Sequence, residues 1–224
     1  MTQSTDHALS HAIANVGRDP AARADLVARL LRWEDYHQKD ADGIDLRETV
    51  TGPIVDALYS HDASVTRKLA SGLVFTMAYR SKIAREFAMG LEPLNHVWEP
   101  QTSRLLTALA TTARTFVFGG AYAGDQAIPV ANVMAKHDGK VHCFELNPPQ
   151  LAALETNARQ NRLSNVIINA LGLWEKAGFI ELVGHDSHAW PRFVARRTAG
   201  AFTVTTVDAY AAAAGIDTID AIML

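Results

Sequence analysis

An apolar, strand-like run, Phe116-Val-Phe118, leads straight into Gly119-Gly-Ala-Tyr-Ala-Gly124-Asp125. Glycines at 119, 120 and 124 lack side chains, so the backbone there can approach a ligand closely at the start of the helix that follows. The next apolar run, His142-Cys-Phe-Glu145, ends in a carboxylate. A doubly wound fold uses a carboxylate at that place to accept both hydroxyl protons of a ribose. Alone, the glycines make only the tight strand-to-helix turn that any α/β protein needs, and a carboxylate at a strand end is as readily a solvated one. In conjunction they point to an adenosyl ligand. The dinucleotide fingerprint G-x-G-x-x-G requires glycine where Ala121 stands, which disfavours a pyrophosphate cradle. S-adenosylmethionine carries no phosphate, and its amino-acid end needs only one or two backbone groups at such a turn.

A second polar cluster, Gly184-His-Asp-Ser-His-Ala-Trp190, puts His185 and His188 in a loop between two strand-like runs. One of these imidazoles would serve as a general base toward a hydroxyl, or the pair would ligate a metal. No further ligand set accompanies them, so no metal is expected. His185 and His188 stand as the catalytic candidates, with a solvated loop as the alternative. Trp98, Trp174 and Trp190 either shape a pocket or fill core.

The elements that must position these residues follow from the hydrophobic period. From residue 114 onward, short apolar runs alternate with amphipathic stretches: Thr115-Phe-Val-Phe, a helix over 125–136, Val141-His-Cys-Phe-Glu, a helix over 148–162, then Val166-Ile-Ile-Asn. That grammar is βαβαβ, and its crossovers make a parallel, doubly wound sheet. Further strands are expected at 179–183, 202–207 and 219–224, with a short alanine-rich helix over 208–214. A helix over 101–113 presents Leu105, Leu106 and Leu109 on one face toward the sheet. Ahead of it, Asp19 and Pro20 open an amphipathic helix carrying Leu26, Leu30 and Trp33. A second helix spans 45–59, with Pro53 kinking it or marking its start. Residues 65–79 alternate around Ser71-Gly72 as a hairpin would, with one long helix as the alternative. A helix over 81–89 closes at Gly90. The expected organisation is a mostly helical auxiliary unit over 1–90 and a Rossmann-like, doubly wound α/β domain over 91–224.

Composition bounds the partners. The chain has 224 residues, 48% hydrophobic and 20% charged, enough to close a sizeable core unaided. A formal charge of −3 offers no general attraction for nucleic acid, so none is expected as a partner. The single cysteine, Cys143, has no internal disulfide partner, and no apolar run of about 18 residues is present to cross a membrane. The N-terminus lacks the basic-then-apolar layout of a signal peptide, so the cytoplasm is the expected compartment.

Over about residues 95–224 the chain resembles the FkbM-type methyltransferases, within the class I S-adenosylmethionine-dependent group. The resemblance rests on His96-Val-Trp-Glu-Pro-Gln-Thr, Gly119-Gly-Ala-Tyr-Ala-Gly-Asp, Glu145-Leu-Asn-Pro, Asn157-Ala-Arg-Gln-Asn, Gly172-Leu-Trp-Glu-Lys-Ala-Gly, and Val204-Thr-Thr-Val-Asp-Ala-Tyr leading to Ile219-Asp-Ala-Ile-Met-Leu. It implies that Gly119, Gly120, Ala121 and Tyr122 line the methionine part of S-adenosylmethionine. It also implies that Glu145 holds the ribose, that Ala170 and Leu171 border the adenine, that Leu146 is among the cofactor-binding residues, and that Glu99 helps to close the pocket. Phe118 stands where the family usually has aspartate, and Leu146 where it has proline, leaving Asp125 and Glu99 to supply the charge. The family's acidic signature after the fourth strand would begin beyond Leu224, so the sheet is expected to be C-terminally incomplete. The activity so implied is O-methylation of a hydroxylated small molecule, a natural product or sugar. The helical unit would cover the acceptor pocket or build a homo-oligomer. A vestigial adenosyl-binding scaffold is the alternative, with a nicotinamide-dependent oxidoreductase behind it.

Overall fold

The computed structural model describes residues 11–60, 63–79, 81–183, 190–194 and 196–224. They form two compact units. One comprises the described residues up to Val65 with Ala78–Glu92, the other Thr66–Met77 with Pro93–Leu224.

The first unit is helical. After α1, over residues 11–18, Asp19 caps α2 (Pro20–His37) by accepting the Ala21 N–H at 2.8 Å, and Pro20 sits where a missing N–H is harmless. The buried stripe of α2 is Val27, Leu31 and Glu34; Trp33, expected on that face, is exposed. The shift has an electrostatic cause, because Glu34 turns inward to meet Arg47 at 2.6 Å and the Thr51 hydroxyl. Arg47 opens a π-helical turn, Arg47–Thr51, that runs directly into α3 (Gly52–Leu58). Gly52 donates its N–H back to Arg47, a five-residue step. Pro53 has no N–H to continue the ordinary ladder and stands in the first turn of α3, so it marks the start of that helix. Ser81 caps α4 (Lys82–Met89), whose Arg85 and Glu86 complete the ion pairs begun by Glu48, Asp56 and Arg47.

The alternation around Ser71-Gly72 does make a hairpin, β1 (Ser64–Lys68) and β2 (Val74–Ala78), turned by Gly72 at φ +90°. Helix α5 (Pro100–Leu109) follows. Of its three leucines only Leu106 is buried; Leu105 and Leu109 are exposed, so the expected apolar face is a single contact wide.

The principal sheet is built from β3 (Thr115–Gly119), β4 (Lys140–Phe144), β5 (Val166–Asn169) and β10 (Ala221–Met223). Its order is β10-β3-β4-β5 and every pairing is parallel, so the protein is mixed α/β with a doubly wound sheet. Two crossover helices, α6 (Ala127–Met134) and α7 (Pro148–Gln160), link β3 to β4 and β4 to β5. The core around the sheet is Phe116, Val117, Cys143, Phe144, Ile128, Val130, Met134 and Leu154, each nearly or fully buried. A second sheet, ordered β6-β9-β7-β8, is inserted between β5 and β10. It comprises β6 (Gly172–Leu173), β7 (Gly178–Val183), β8 (Trp190–Val194) and β9 (Phe202–Thr205). Helix α8 (Val207–Ala214) then returns the chain, with the Tyr210 hydroxyl 2.9 Å from His142 Nδ1. Just before β10, Asp220 accepts the N–H groups of Arg114 and Thr115 at 2.7 and 2.8 Å, clipping the last strand onto the first.

Candidate functional site

The order of the principal sheet reverses between β3 and β10, and the carboxyl ends of strands at such a switch point form the binding crevice of open α/β sheets. Most of the residues singled out by sequence lie there.

Gly119 ends β3. A methyl group added to it would stand 2.7 Å from Leu224 Cδ2 and 3.3 Å from Leu173 Cδ1, so β6 and the end of the chain close over this glycine. Gly120 is the opposite case. It is exposed, adopts φ +75°, and would meet nothing within 4 Å, leaving the turn open on that side. The Gly120 and Ala121 N–H groups both donate to the Phe144 carbonyl at 2.9 Å. Tyr122, at φ +49°, donates its N–H to Glu145 Oε2 at 2.8 Å. The turn's first N–H groups therefore point back into β4, and the backbone approach expected for a ligand carboxylate is not made by these groups. Glu145 uses its other oxygen to accept Leu146 and Asn147 N–H at 2.8 and 2.7 Å. Its carboxylate thus ties the glycine turn to the loop that opens α7.

Leu146 bears on β6, because a methyl group added to Gly172 would meet Leu146 Cδ1 at 2.9 Å. The Glu145 N–H donates to the Asn169 carbonyl at 3.2 Å. Ala170 and Leu171, between Asn169 and Gly172, accordingly cross the end of β5 beside Glu145 and Leu146. The His185 and His188 candidates lie outside the described residues. No metal-holding cluster of His, Cys, Asp or Glu occurs among the described residues, and no helix of theirs is long and apolar enough to cross a membrane.

Two further acidic residues lie close enough to the turn to act on one another electrostatically. Glu99 stands at the head of α5 with φ +44° and accepts the Thr102 hydroxyl at 3.1 Å. A non-glycine residue with positive φ directly before proline is strained; Tyr122 has a positive φ too, though no proline follows it. Asp125 is almost fully buried at the entry to α6. Burial pushes its carboxyl up to about 6, the charges of Glu99 and Glu145 push the same way, and hydrogen bonds from its own and the Gln126 N–H oppose them. The sequence reading missed Gln126, which is buried. Its amide donates to the Trp98 carbonyl at 2.9 Å and its oxygen accepts the Ser103 hydroxyl at 2.7 Å, holding the Glu99 segment against α6. The only advance signal was a glutamine directly after the turn aspartate.

Around the turn, the described residues gather Glu99, Asp125 and Glu145, and no Lys or Arg stands among the sequence-selected set. The nearest N–H groups are already used. A phosphate would meet negative charge and few free donors, whereas a cationic ligand bearing a diol meets complementary charge and acceptors. S-adenosylmethionine, with its sulfonium, ammonium and ribose diol, fits this donor set.

No family model matches the chain, and no curated protein matches it either. Among solved structures, M. jannaschii TYW2 in complex with AdoMet is 20% identical over 49% of this chain and 44% of that one, with a TM-score of 0.34. A SAM-dependent O-methyltransferase from Thermotoga maritima is 16% identical over 50% and 43%, with a TM-score of 0.32. A T. thermophilus 16S rRNA methyltransferase in complex with AdoMet and guanosine is 17% identical over 50% and 28%, with a TM-score of 0.32. The matched part spans less than half the length of each of these proteins.

Proposed function

We propose that this chain binds S-adenosylmethionine at the β3 switch point and transfers its methyl group to an oxygen of a hydroxylated small molecule, a natural product or sugar. The observation that carries the cofactor is the trio of Glu99, Asp125 and Glu145 around a glycine turn whose Gly120, Ala121 and Tyr122 N–H groups are committed to Phe144 and Glu145. That combination suits a cationic nucleoside and opposes a pyrophosphate, which sets the nicotinamide alternative aside.

In this reading a ribose hydroxyl donates to Glu145 Oε2, which keeps one acceptor site beside its bond from Tyr122, while Oε1 already accepts two N–H groups. Gly119, Gly120, Ala121 and Tyr122 border the methionine end, Ala170 and Leu171 border the adenine, and Leu146 completes the cofactor-binding set. Asp125 and Glu99 offset the positive charge that Phe118, buried and stacked on Phe116, does not address. When bound, S-adenosylmethionine supplies a methyl group already activated by its sulfonium. The chain's own contribution is to hold that group in line with an acceptor oxygen.

Calorimetric titration with S-adenosylmethionine, S-adenosylhomocysteine and NAD tests the cofactor. Micromolar binding of the first two, lost in Glu145→Ala, with none of NAD, is the expected result. Labelled methyl transfer to a panel of sugars and phenols then tests the acceptor. Incorporation into RNA instead would overturn the small-molecule part, and binding without transfer to any acceptor would favour the scaffold reading.

A further inference from the structure

The outer edge of β2 meets a helix rather than another strand. Val74 donates its N–H to Asn161 Oδ1 at 2.8 Å, and its carbonyl accepts from Asn161 Nδ2 at 2.7 Å and Gln160 Nε2 at 2.8 Å. Two residues on, Thr76 donates its N–H to Asn157 Oδ1 at 2.8 Å, and its carbonyl accepts from Asn157 Nδ2 at 3.0 Å. The match is metric. One turn of helix separates Asn157 from Asn161 by about 6 Å, and two residues of strand advance by about 6.6 Å. The two side-chain amides thus act as a short strand, satisfying groups that an edge strand would otherwise leave open.

Asn157 has one more bond than this task needs. Its second amide hydrogen goes to the Ala123 carbonyl at 2.7 Å, inside the glycine turn. The side chain is fully buried. Its oxygen is held by the Thr76 N–H and by Gln160 Nε2 at 2.7 Å, so both hydrogens are directed at carbonyls, one on the strand and one in the turn. Tyr122 and Ala123 are therefore gripped from two sides: the Tyr122 N–H by Glu145 and the Ala123 carbonyl by Asn157. Tyr122 sits at φ +49°, a conformation that persists only where its surroundings hold it.

We infer that Asn157 is a positioning residue for the adenosyl site, acting through the Ala123 carbonyl, and that the hairpin strand β2 orients its amide. This rests on the reading of the crevice as an S-adenosylmethionine site. Asn161 makes the same kind of bonds to β2 but none to the turn among the described contacts, and so provides an internal control.

The experiment compares Asn157→Ala, Asn157→Asp and Asn161→Ala with the wild type in the full chain. Three readouts are taken: thermal midpoint, affinity for S-adenosylhomocysteine, and amide hydrogen exchange of residues 120–124 without ligand. Asn161→Ala lowers the midpoint but leaves affinity within about twofold and exchange of the turn unchanged. Asn157→Ala weakens binding about tenfold or more and accelerates exchange at Tyr122, as expected for a buried carbonyl left without its donor. Asn157→Asp preserves shape but turns an acceptor toward two carbonyls, and it loses as much. Equal loss of affinity in the 157 and 161 variants, or unchanged exchange at Tyr122 in Asn157→Ala, overturns the assignment. A wild-type chain that takes up no S-adenosylhomocysteine overturns the functional reading instead, and the exchange data still decide whether Asn157 holds the turn.

Discussion

Glu145 Oε2 accepts the Tyr122 N–H at 2.8 Å, so the residue expected to hold the ribose also holds the glycine turn in shape. Glu145→Gln keeps the volume but exchanges one acceptor for an NH2 that cannot satisfy every N–H now bonded. The expected result is a loss of about 1–3 kcal/mol of stability and more than tenfold of affinity for S-adenosylmethionine, read by urea titration and calorimetry. Affinity lost without any stability change would mean that the carboxylate serves the ligand alone.

Asp125 sets a pH dependence. Its carboxyl is pushed up to about 6, above its unfolded value, so the stability it contributes is fully present below about pH 4 and is lost as pH rises through 6. A cation in the crevice favours the ionised form, so binding has the opposite slope. Affinity for S-adenosylmethionine rises between about pH 5 and pH 7 and then levels, and Asp125→Asn flattens the rise. S-adenosylhomocysteine, which lacks the sulfonium charge, shows a shallower slope in the same titration. Identical slopes for the two ligands would remove Asp125 from the charge argument.

Cys143 is fully buried on β4, and burial raises its thiol well above the usual range. The native protein should leave a maleimide unreacted over hours, while the unfolded chain is labelled within minutes. Rapid labelling of the folded protein would show that β4 is not the central, covered strand described.

In the helical unit Arg47 reaches Glu34 and Glu86 at 2.6 and 2.7 Å with its side chain three-quarters covered. Removing it strands Glu34 in a buried position. Arg47→Ala is expected to cost about 2 kcal/mol, less than for a fully buried pair because water still screens part of the network. Arg47→Lys recovers little of it, since an ammonium lacks the fork that spans both carboxylates. A urea midpoint unchanged in either variant would contradict the network.

The parts of the fold readable in advance were those with a clean period. The alternation of 65–79 announced the hairpin, and the apolar runs at 115, 141 and 166 announced the parallel sheet. Less legible were features set by side-chain partners. The π-turn ahead of Pro53 depends on where the Gly52 N–H finds an acceptor, and the buried stripe of α2 runs through Val27, Leu31 and Glu34 rather than Leu26, Leu30 and Trp33. Leu105 and Leu109 matched a helical face that remains exposed. In the site, the glycine turn and Glu145 were visible because backbone shape and strand-end carboxylates leave a local pattern. Gln126 and Asn157 were not seen as working residues, because a polar side chain inside a helix reads as surface until its buried partners are known.

The Asp220 clip bears on how such a chain tolerates change. Its partners are the backbone at the head of β3, so β10 finds its place without reference to the β7–β8 hairpin that precedes it. Closing a longer excursion costs only a logarithmic increment in entropy. The Asp220 bonds set the register of β10 on β3 through contacts outside β7 and β8, while β7 itself stays tied to β9 and buries Ile180. Exchanging β7 and β8 for a hairpin of another length is therefore expected to leave the β10–β3 pairing intact, read from amide hydrogen exchange at residues 115–119 and 221–223.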